Sequence, residues 1–424
     1  MSKKCFDLFE LLSYDDIEEI EMILKKTRAS LYTNKLWWER VRLYFKAMDY
    51  RRKGFKCDII AKMLGLSPAV IYNWDKGHTP LNTRNVPKIT AEFAELFTAS
   101  LGDGHVRLTK KLIRHGGVGI DFRLRDKELA THLYNLALKV VGNAWYYYKD
   151  GWHYTGFYSS IIAELVEVAK VNHLIALKIV MPFSREAIRG LFDTEGGPTF
   201  RGDGQLVFSN TNPEIIMLLK QLLKNIKLDF LIVPERRDGE MRTPTNGKTY
   251  KIKQPVIYRV HISARCWHRF YNEIGFITQR KMQKLKQLIS HERYLVRYFT
   301  ELLEEICQSP KTVTDFLRSF FKYRGTYSEK DHSIAIFFVD PTEAEAISKM
   351  LTILGIEHIR KEGIKYKKYP QKTLTAIYIK GDGLIKFKRT VMNQIPRKRI
   401  RGLNLKSTPS LQQTLLFLHF SYKS

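Results

Sequence analysis

Three segments of this 424-residue chain repeat one pattern, and this repeat constrains the fold more than any other feature. Each segment begins with an apolar run of helical spacing that ends near a glycine: LFTASLGDGH, AIRGLFDTEGG and FLRSFFKYRG. A strand-like pair, an amphipathic helix, two further strand-like runs and a closing helix follow in the same order each time. The sequence therefore predicts an α+β fold with three tandem αββαββα repeats of about 90 residues, here called repeats 1, 2 and 3.

The segment before the repeats has helical patterns only. Within residues 51–80, DIIAKML and PAVIYNWDKG predict two short helices joined at Gly65, which can adopt a positive φ. Ser67 is expected to cap the second helix, with Pro68 at its first position. The pattern resembles the helix-turn-helix of DNA-binding regulators, and a plain helical hairpin is the alternative. The resemblance implies that the residues facing bases or phosphates are Ala69, Tyr72, Asn73 and Lys76.

The charge balance indicates a polyanionic partner. Lysine and arginine number 71 against 43 aspartate and glutamate residues, which gives a net charge of +28. An excess of this size favours nucleic acid as the partner, and we expect double-stranded DNA. The sequence shows no signal peptide and no run of about 18 apolar residues, so we expect a cytoplasmic protein without a membrane partner. The 4 scattered cysteines have no zinc-binding spacing and fit a reducing compartment.

A carboxylate at the end of the repeat 2 helix raises a question of electrostatics. Glu195 closes this apolar run, where the negative end of a helix dipole disfavours a carboxylate by up to about 1 kcal/mol. A bound cation would offset that cost. The alternative is an ordinary helix followed by Gly196 as a C′ glycine, with a solvated Glu195 side chain. Asp103 ends the helical run of repeat 1 in a similar way.

These motifs resemble those of the LAGLIDADG homing endonucleases. The resemblance rests on LGDGH and RGLFDTEGG; it is clear over residues 90–290 and weaker over 311–402. It implies that repeats 1 and 2 form a pseudo-dimer, in which the two motif helices pack closely against each other at the centre. Thr98 and Gly190 hold the positions of the small residues at that helix interface.

The same resemblance implies a chemistry. Asp103 and Glu195 would meet at the helix tips and hold Mg²⁺ or Mn²⁺ at the DNA, consistent with the oxygen ligands that hard cations prefer. Lys281 would lie near the reacting water, although a lysine there is more often a solvated surface charge. The implied function is a monomeric, metal-dependent, site-specific double-strand DNA endonuclease. A non-catalytic transcription regulator that retains the fold is the alternative, and an RNA-directed role is a weaker third.

Repeat 3 departs from the pattern at its helix tip. Arg324 stands where Glu195 stands in repeat 2, and a guanidinium can bind phosphate but not Mg²⁺. We therefore expect repeat 3 to be a degenerate copy that binds DNA or supports the structure. The candidate DNA-binding residues outside the helix-turn-helix are Arg123, Arg125, Arg236, Arg237, Lys248, Arg324, Arg397, Lys398 and Arg399.

The pattern predicts four domains along the chain. A helical helix-turn-helix domain is expected over residues 1–86, followed by repeat 1 over 87–182. Repeat 2 is expected over 183–308, and repeat 3 with a basic C-terminal segment over 309–424. Repeats 1 and 2 are expected to supply the pseudo-symmetry, so that one chain suffices for a complete site.

Overall fold

The structure is a computed structural model. It describes residues 5–27, 35–107, 118–200, 204–237, 241–242, 250–251, 256–324, 326–328, 332–366 and 369–392. The chain divides into two compact units, an N-terminal unit of residues 1–288 and a C-terminal unit of residues 289–424. Among the described residues, no helix combines the length and apolar character that crossing a membrane would need. The four-domain division stays a prediction.

Five helices begin the N-terminal unit. Gly65 adopts the left-handed conformation (φ 66°) between the fourth and fifth helices, as expected from the sequence. Ser67 occupies the N-cap position of the fifth helix without a side-chain hydrogen bond, because the Val70 amide donates to the Ser67 carbonyl oxygen instead (3.0 Å). The prediction that the Ser67 side chain caps this helix is therefore wrong. The helices are α1 (Leu8–Leu11), α2 (Tyr14–Lys26), α3 (Lys35–Arg52), α4 (Cys57–Leu64) and α5 (Pro68–Asp75).

Repeat 1 follows with an antiparallel four-stranded sheet, here called sheet 1, of strand order β1-β2-β4-β3. Side chains alternate between the two faces along its second strand, so that Ile120 and Phe122 lie under the helices and Arg123 is exposed. The elements are α6 (Ala91–Gly102), β1 (His105–Arg107), β2 (Gly119–Leu124), α7 (Lys127–Val141), β3 (Trp145–Lys149), β4 (Trp152–Tyr158), α8 (Ser160–Ala169) and α9 (His173–Val180).

Repeat 2 has the same arrangement, with a sheet 2 of strand order β5-β6-β10-β7. Leu206, Phe208 and Val260 are buried on the side that packs on α11. The elements are α10 (Ser184–Glu195), β5 (Gly196–Thr199), β6 (Gln205–Asn210), α11 (Pro213–Asn225), β7 (Phe230–Arg236), β8 (Met241–Arg242), β9 (Tyr250–Lys251), β10 (Val256–Ile262), α12 (Trp267–Glu273) and α13 (Gln279–Ile289).

The C-terminal unit contains repeat 3 and its sheet 3, of strand order β11-β12-β14-β13. The elements are α14 (Glu292–Arg297), α15 (Leu303–Ile306), α16 (Pro310–Arg324), β11 (Thr326–Ser328), β12 (Ser333–Phe338), α17 (Pro341–Ile353), β13 (Ile359–Tyr366), β14 (Tyr369–Ile379) and α18 (Gly381–Phe387). The predicted α+β class is confirmed. Apart from the separate two-stranded sheet of β8 and β9 in repeat 2, the three repeats share one order of helices and strands and one order of strands within the sheet.

Buried polar contacts attach the N-terminal helices to repeat 1. The Trp38 indole N–H donates to the Glu164 carboxylate (2.7 Å), and Arg84 donates to the same carboxylate (3.1 Å). Lys178 on α9 reaches Asp16 on α2 (2.7 Å). Burial raises the pKa of Glu164, and Arg84 acts in the opposite direction. Since a buried carboxylate is costly when it loses its partners, these contacts hold the helical region on repeat 1.

Candidate nuclease site

Helices α6 and α10 cross at very close range. A Cβ atom on Gly190 would collide with the Glu95 carbonyl oxygen and the Thr98 hydroxyl, and would lie 3.0 Å from the Ala99 nitrogen. Thr98 is fully buried and donates its hydroxyl to the Ala94 carbonyl oxygen of its own turn (2.8 Å). The slightly bulky Thr98 is accommodated because a glycine faces it. The structure therefore brings together the two predicted helix-interface residues.

An ion pair that the sequence analysis did not identify joins the same two helices. Arg189 on α10 donates through Nε to the Glu95 carboxylate on α6 (3.0 Å), and His132 on α7 contacts that carboxylate at 2.7 Å. Burial raises the pKa of Glu95, but these hydrogen bonds outweigh it and the net shift is downward. The charged Glu95 therefore fixes the rotation of α10 about its axis relative to α6. Sequence spacing gave no signal, since 94 residues separate the partners.

The two predicted acids lie at adjoining helix ends. Asp103 follows the last residue of α6, and Glu195 is the last residue of α10. A Cβ atom on Gly102 would lie only 2.8 Å from the Thr194 Cβ and 3.2 Å from the Glu195 Cγ, which shows how closely the tips approach. The two carboxylates therefore occupy one site.

The electrostatics of this site disfavour two negative charges. Burial, and then the nearby Asp103 carboxylate, raise the pKa of Glu195 to about 7, while Lys281 acts to lower it. Asp103 is reached by solvent, yet the protein atoms packed around it raise its pKa as well. A site that holds two carboxylates in this way is suited to a cation, which would stabilise both charges.

Lys281 places a positive charge at the C-terminus of α10, where the Glu195 carboxylate is disfavoured by the helix dipole. Its ammonium group donates to two carbonyl oxygens of the last turn of α10, those of Phe192 (3.1 Å) and Asp193 (2.6 Å). A cation at this end stabilises the helix dipole. Burial lowers the pKa of Lys281, and Asp193 and Asp103 oppose that shift. The structure therefore places all three predicted site residues, Asp103, Glu195 and Lys281, in one neighbourhood.

Asp193 positions the segment that carries this lysine, and the sequence analysis did not single it out. Its buried carboxylate accepts hydrogen bonds from the backbone amides of Ile277 (3.0 Å) and Thr278 (3.3 Å). These residues immediately precede α13, in which Lys281 is the third residue. The tip of α10 and the start of α13 are therefore bound together, and the Lys281 ammonium is held over the helix end.

Gly196 does not act as a left-handed helix terminator. Its backbone is extended (φ −114°, ψ 175°) and opens β5 directly, so the alternative of a C′ glycine is wrong. Glycine is required for another reason, since a Cβ atom here would lie 2.6 Å from Cδ1 of Phe192. The chain thus passes from the acid at the helix tip straight into the sheet.

The oxygen chemistry of the site fits a hard divalent cation. Within the described part of the chain, no group of three or more histidine, cysteine, aspartate or glutamate side chains is arranged to hold a metal ion. Asp103 and Glu195 would therefore supply two carboxylates, with water, backbone or phosphate oxygens completing the shell. Mg²⁺ is commonly bound by one or two carboxylates together with waters and phosphate oxygens.

The predicted recognition residues of the helical region lie on the outer side of α5. Ile71 and Trp74 are buried against α3 and α4 in a core that also contains Ala47 and Ile60. The four predicted contact residues are all exposed: Ala69, Tyr72, Asn73 and Lys76. The amphipathic division of α5 therefore leaves the predicted contact residues accessible to a partner.

The arginines predicted to contact DNA are divided by the structure. Arg123 and Arg125 lie on the solvent face of sheet 1. Arg236 is the last residue of β7, and Arg237, which follows the strand, contacts the Glu235 carboxylate (3.5 Å). Arg236 lies on the same side as Ile232, which faces the buried Val260 across the helix-covered side of sheet 2. Arg236 and Arg237 both stay predicted DNA contacts.

The arginine at the repeat 3 tip already has partners. Arg324 donates to the Glu343 carboxylate (2.9 Å) and lies over the rings of Phe320 (5.5 Å) and Phe338 (5.6 Å). These contacts explain how an arginine replaces an acid at this position, and a free phosphate ligand is not needed. The other predicted contacts, Lys248, Arg397, Lys398 and Arg399, lie outside the described residues.

Comparison with known proteins identifies one of these repeats. Residues 182–275, which contain α10 and sheet 2, match the family model of a LAGLIDADG-like domain. The chain contains a LAGLIDADG-like domain. The resemblance inferred from the motifs is therefore confirmed for residues 182–275, whereas its extension to repeats 1 and 3 and the helix-turn-helix stay predictions.

Individual relatives of the LAGLIDADG-like chain are distant. A DNA polymerase from Thermococcus hydrothermalis is 24% identical over 236 residues, which are 51% of this chain and 13% of the polymerase. The chain thus spans about an eighth of that relative's length. An I-DmoI variant bound to its target DNA in the presence of Mg has 15% identity and a TM-score of 0.30, over 43% of this chain and 95% of I-DmoI. The I-LtrWI LAGLIDADG homing endonuclease bound to target DNA has 10% identity and a TM-score of 0.27, over 55% of this chain and 98% of I-LtrWI.

Proposed function

We propose that this chain is a site-specific, metal-dependent endonuclease of double-stranded DNA that acts as a monomer. The observation that carries the proposal is the meeting of Asp103 and Glu195 at two closely packed helix tips, with the Glu195 pKa raised to about 7. Two carboxylates in poor solvation are unfavourable without a cation. The net charge of +28 supplies the attraction for DNA.

The residues of the site divide the work of phosphodiester hydrolysis. Asp103 and Glu195 would hold Mg²⁺ or Mn²⁺, which when bound supplies charge stabilisation and a more acidic water. Lys281 places a positive charge beside the two acids, where it attracts the scissile phosphate and stabilises the negative charge that develops on it. Asp193 acts on the lysine through the backbone of residues 277–278 and is a positioning residue.

DNA binding would use several parts of the chain. We propose that the solvent faces of sheets 1 and 2 lie along the duplex and that the exposed side of α5 enters a major groove as a helix-turn-helix does. The contacts of Glu164 and Asp16 attach α3 and α2 to repeat 1, and α5 packs against α3. All 4 cysteines are free, which fits the cytoplasmic location that we propose.

Selection of bound sequences from a random duplex pool, followed by incubation with and without Mg²⁺, tests this function. A long recovered sequence that is cut only with metal supports the endonuclease. Tight, specific binding without cleavage in Mg²⁺ or Mn²⁺ refutes it and supports the second candidate, a transcription regulator. The extra surfaces of α5 and repeat 3 would serve either candidate, whereas the pair of acids at the helix tips favours the endonuclease.

A further inference from the structure

The solvent face of sheet 1 presents arginines that are stacked on aromatic rings. The Arg123 guanidinium lies 4.3 Å from the Trp152 ring centre and 5.8 Å from that of Tyr154. The Arg125 guanidinium lies 4.8 Å from the same Trp152 ring. Tyr147 stacks on Tyr154 from the neighbouring strand, with ring centres 4.8 Å apart and planes within 11°. These rings hold both guanidinium groups on the solvent face of the sheet by cation–π contacts.

The donors of these two arginines are uncommitted within the described part of the chain. The nearest acids have other partners, since Asp121 pairs with Arg107 (3.5 Å) and Asp126 with Arg280 (3.3 Å). A guanidinium carries five N–H donors in a planar fork. Stacking on a ring face leaves the edge of that fork available to a ligand. A planar pair of acceptors is the matching chemistry, and in a duplex major groove guanine O6 and N7 provide it.

The solvent face of sheet 2 has the opposite character. Leu231 is 63% exposed and Val233 is 38% exposed. Their register partners across β7 and β10 are His261 and Arg259, so all four side chains share this face. Arg259 pairs with the Glu235 carboxylate (2.7 Å), which also contacts Arg237 (3.5 Å). Sheet 2 therefore offers apolar surface where sheet 1 offers free donors.

Two exposed aliphatic side chains on a DNA-facing sheet match one chemical feature of a base pair. The 5-methyl group of thymine is the apolar group of the major groove, and aliphatic side chains contact it favourably. Guanine and cytosine have no methyl group at these edges. On this face Arg259 and Arg237 are both engaged by the Glu235 carboxylate, which occupies donors that would otherwise be available to guanine.

We propose that the two sheets recognise different bases, so that the DNA target has two chemically unlike halves. Sheet 1 selects guanine through Arg123 and Arg125, with Trp152 and Tyr154 as positioning residues. Sheet 2 selects thymine through Leu231 and Val233. This inference rests on the proposed binding of duplex DNA, but it requires no cleavage.

Base analogues in the selected duplex test the inference, with the full chain and no divalent metal at one fixed salt concentration. Replacing thymine by deoxyuridine removes the methyl group, and replacing guanine by 7-deazaguanine removes the N7 acceptor. We expect deoxyuridine to weaken binding about fourfold for each contacted methyl, in one half only. We expect 7-deazaguanine to weaken it on the order of tenfold for each contacted guanine, in the other half only.

Shape-matched variants assign each half to a sheet. Leu231→Asn combined with Val233→Thr should abolish the penalty for deoxyuridine and leave the penalty for 7-deazaguanine unchanged. Arg123→Gln combined with Arg125→Gln should do the reverse. Trp152→Leu retains both arginines, and it should reduce the guanine preference while the dependence of affinity on salt stays constant.

The outcomes separate this inference from the proposed function. A specific duplex whose two halves respond equally to both analogues overturns the inference and leaves the endonuclease proposal standing. A penalty for deoxyuridine that persists in the Leu231→Asn, Val233→Thr variant also overturns it. If the chain selects no duplex sequence at all, the proposed function and this inference both fail.

Discussion

Substitution of Gly190 by alanine measures how closely α6 and α10 approach. In an isolated helix, alanine is more favourable than glycine by about 1 kcal/mol. Here the added methyl group would overlap the Glu95 carbonyl oxygen and the Thr98 hydroxyl. Overpacking of this kind costs about 1–3 kcal/mol, and one of the two neighbours is backbone that cannot rotate away. We take the upper value and expect a net loss of about 2 kcal/mol in the free energy of unfolding.

Urea denaturation measures the effect of Gly190→Ala on the free energy of unfolding. Thr98→Ala is the matched control, and the double variant should recover part of the loss, because the hydroxyl is removed while the Glu95 carbonyl oxygen remains. A Gly190→Ala chain that is more stable than the parent would show that the helix propensity decides the outcome. The close crossing of α6 and α10 would then be refuted.

Three further predictions concern the charged groups of the site. Because burial and Asp103 raise the Glu195 pKa from 4.5 to about 7, stability without metal should fall as pH rises between these values, and Glu195→Gln should reduce this slope in melting temperatures. An unchanged slope in that variant would contradict the assignment. Lys281→Met should slow cleavage on the order of a hundredfold in single-turnover assays while DNA affinity changes little, and parallel losses of rate and affinity would show a binding role only. Arg189→Met leaves the Glu95 carboxylate without its ion pair and should cost about 3 kcal/mol of stability by urea denaturation, whereas a neutral effect would show that His132 alone is sufficient.

Local patterns in the sequence were sufficient to predict the order of helices and strands and the residues at which the two motif helices end. Strands show alternating apolar residues and helices show apolar residues three and four positions apart, because one side of each element is buried. This pattern can be recognised in each segment alone. Gly190 and Thr98 were identified at the crossing through the family motif, and the geometry of the helices agrees with that choice.

Contacts between distant segments were not predictable from the same patterns. Lys281 bonds to carbonyl groups 88 and 89 residues away, and only the fold shows that Asp193 arranges this contact. Gly196 follows a helix as a terminating glycine would. Glycine is needed there because a Cβ atom would collide with the Phe192 ring. The contact between Arg324 and Glu343 was not predictable from the sequence, because Glu343 lies in another helix.

Cleavage of the selected duplex by isosteric variants tests the central claim most directly. Asp103→Asn and Glu195→Gln retain shape and remove charge, and Glu186→Gln in the first turn of α10 is the control on the same helix. We predict that the parent and Glu186→Gln cut only with Mg²⁺, whereas the two tip variants bind the duplex and lose at least about a thousandfold in rate, about 4 kcal/mol in activation free energy. Cleavage by either tip variant at the parent rate would contradict the account.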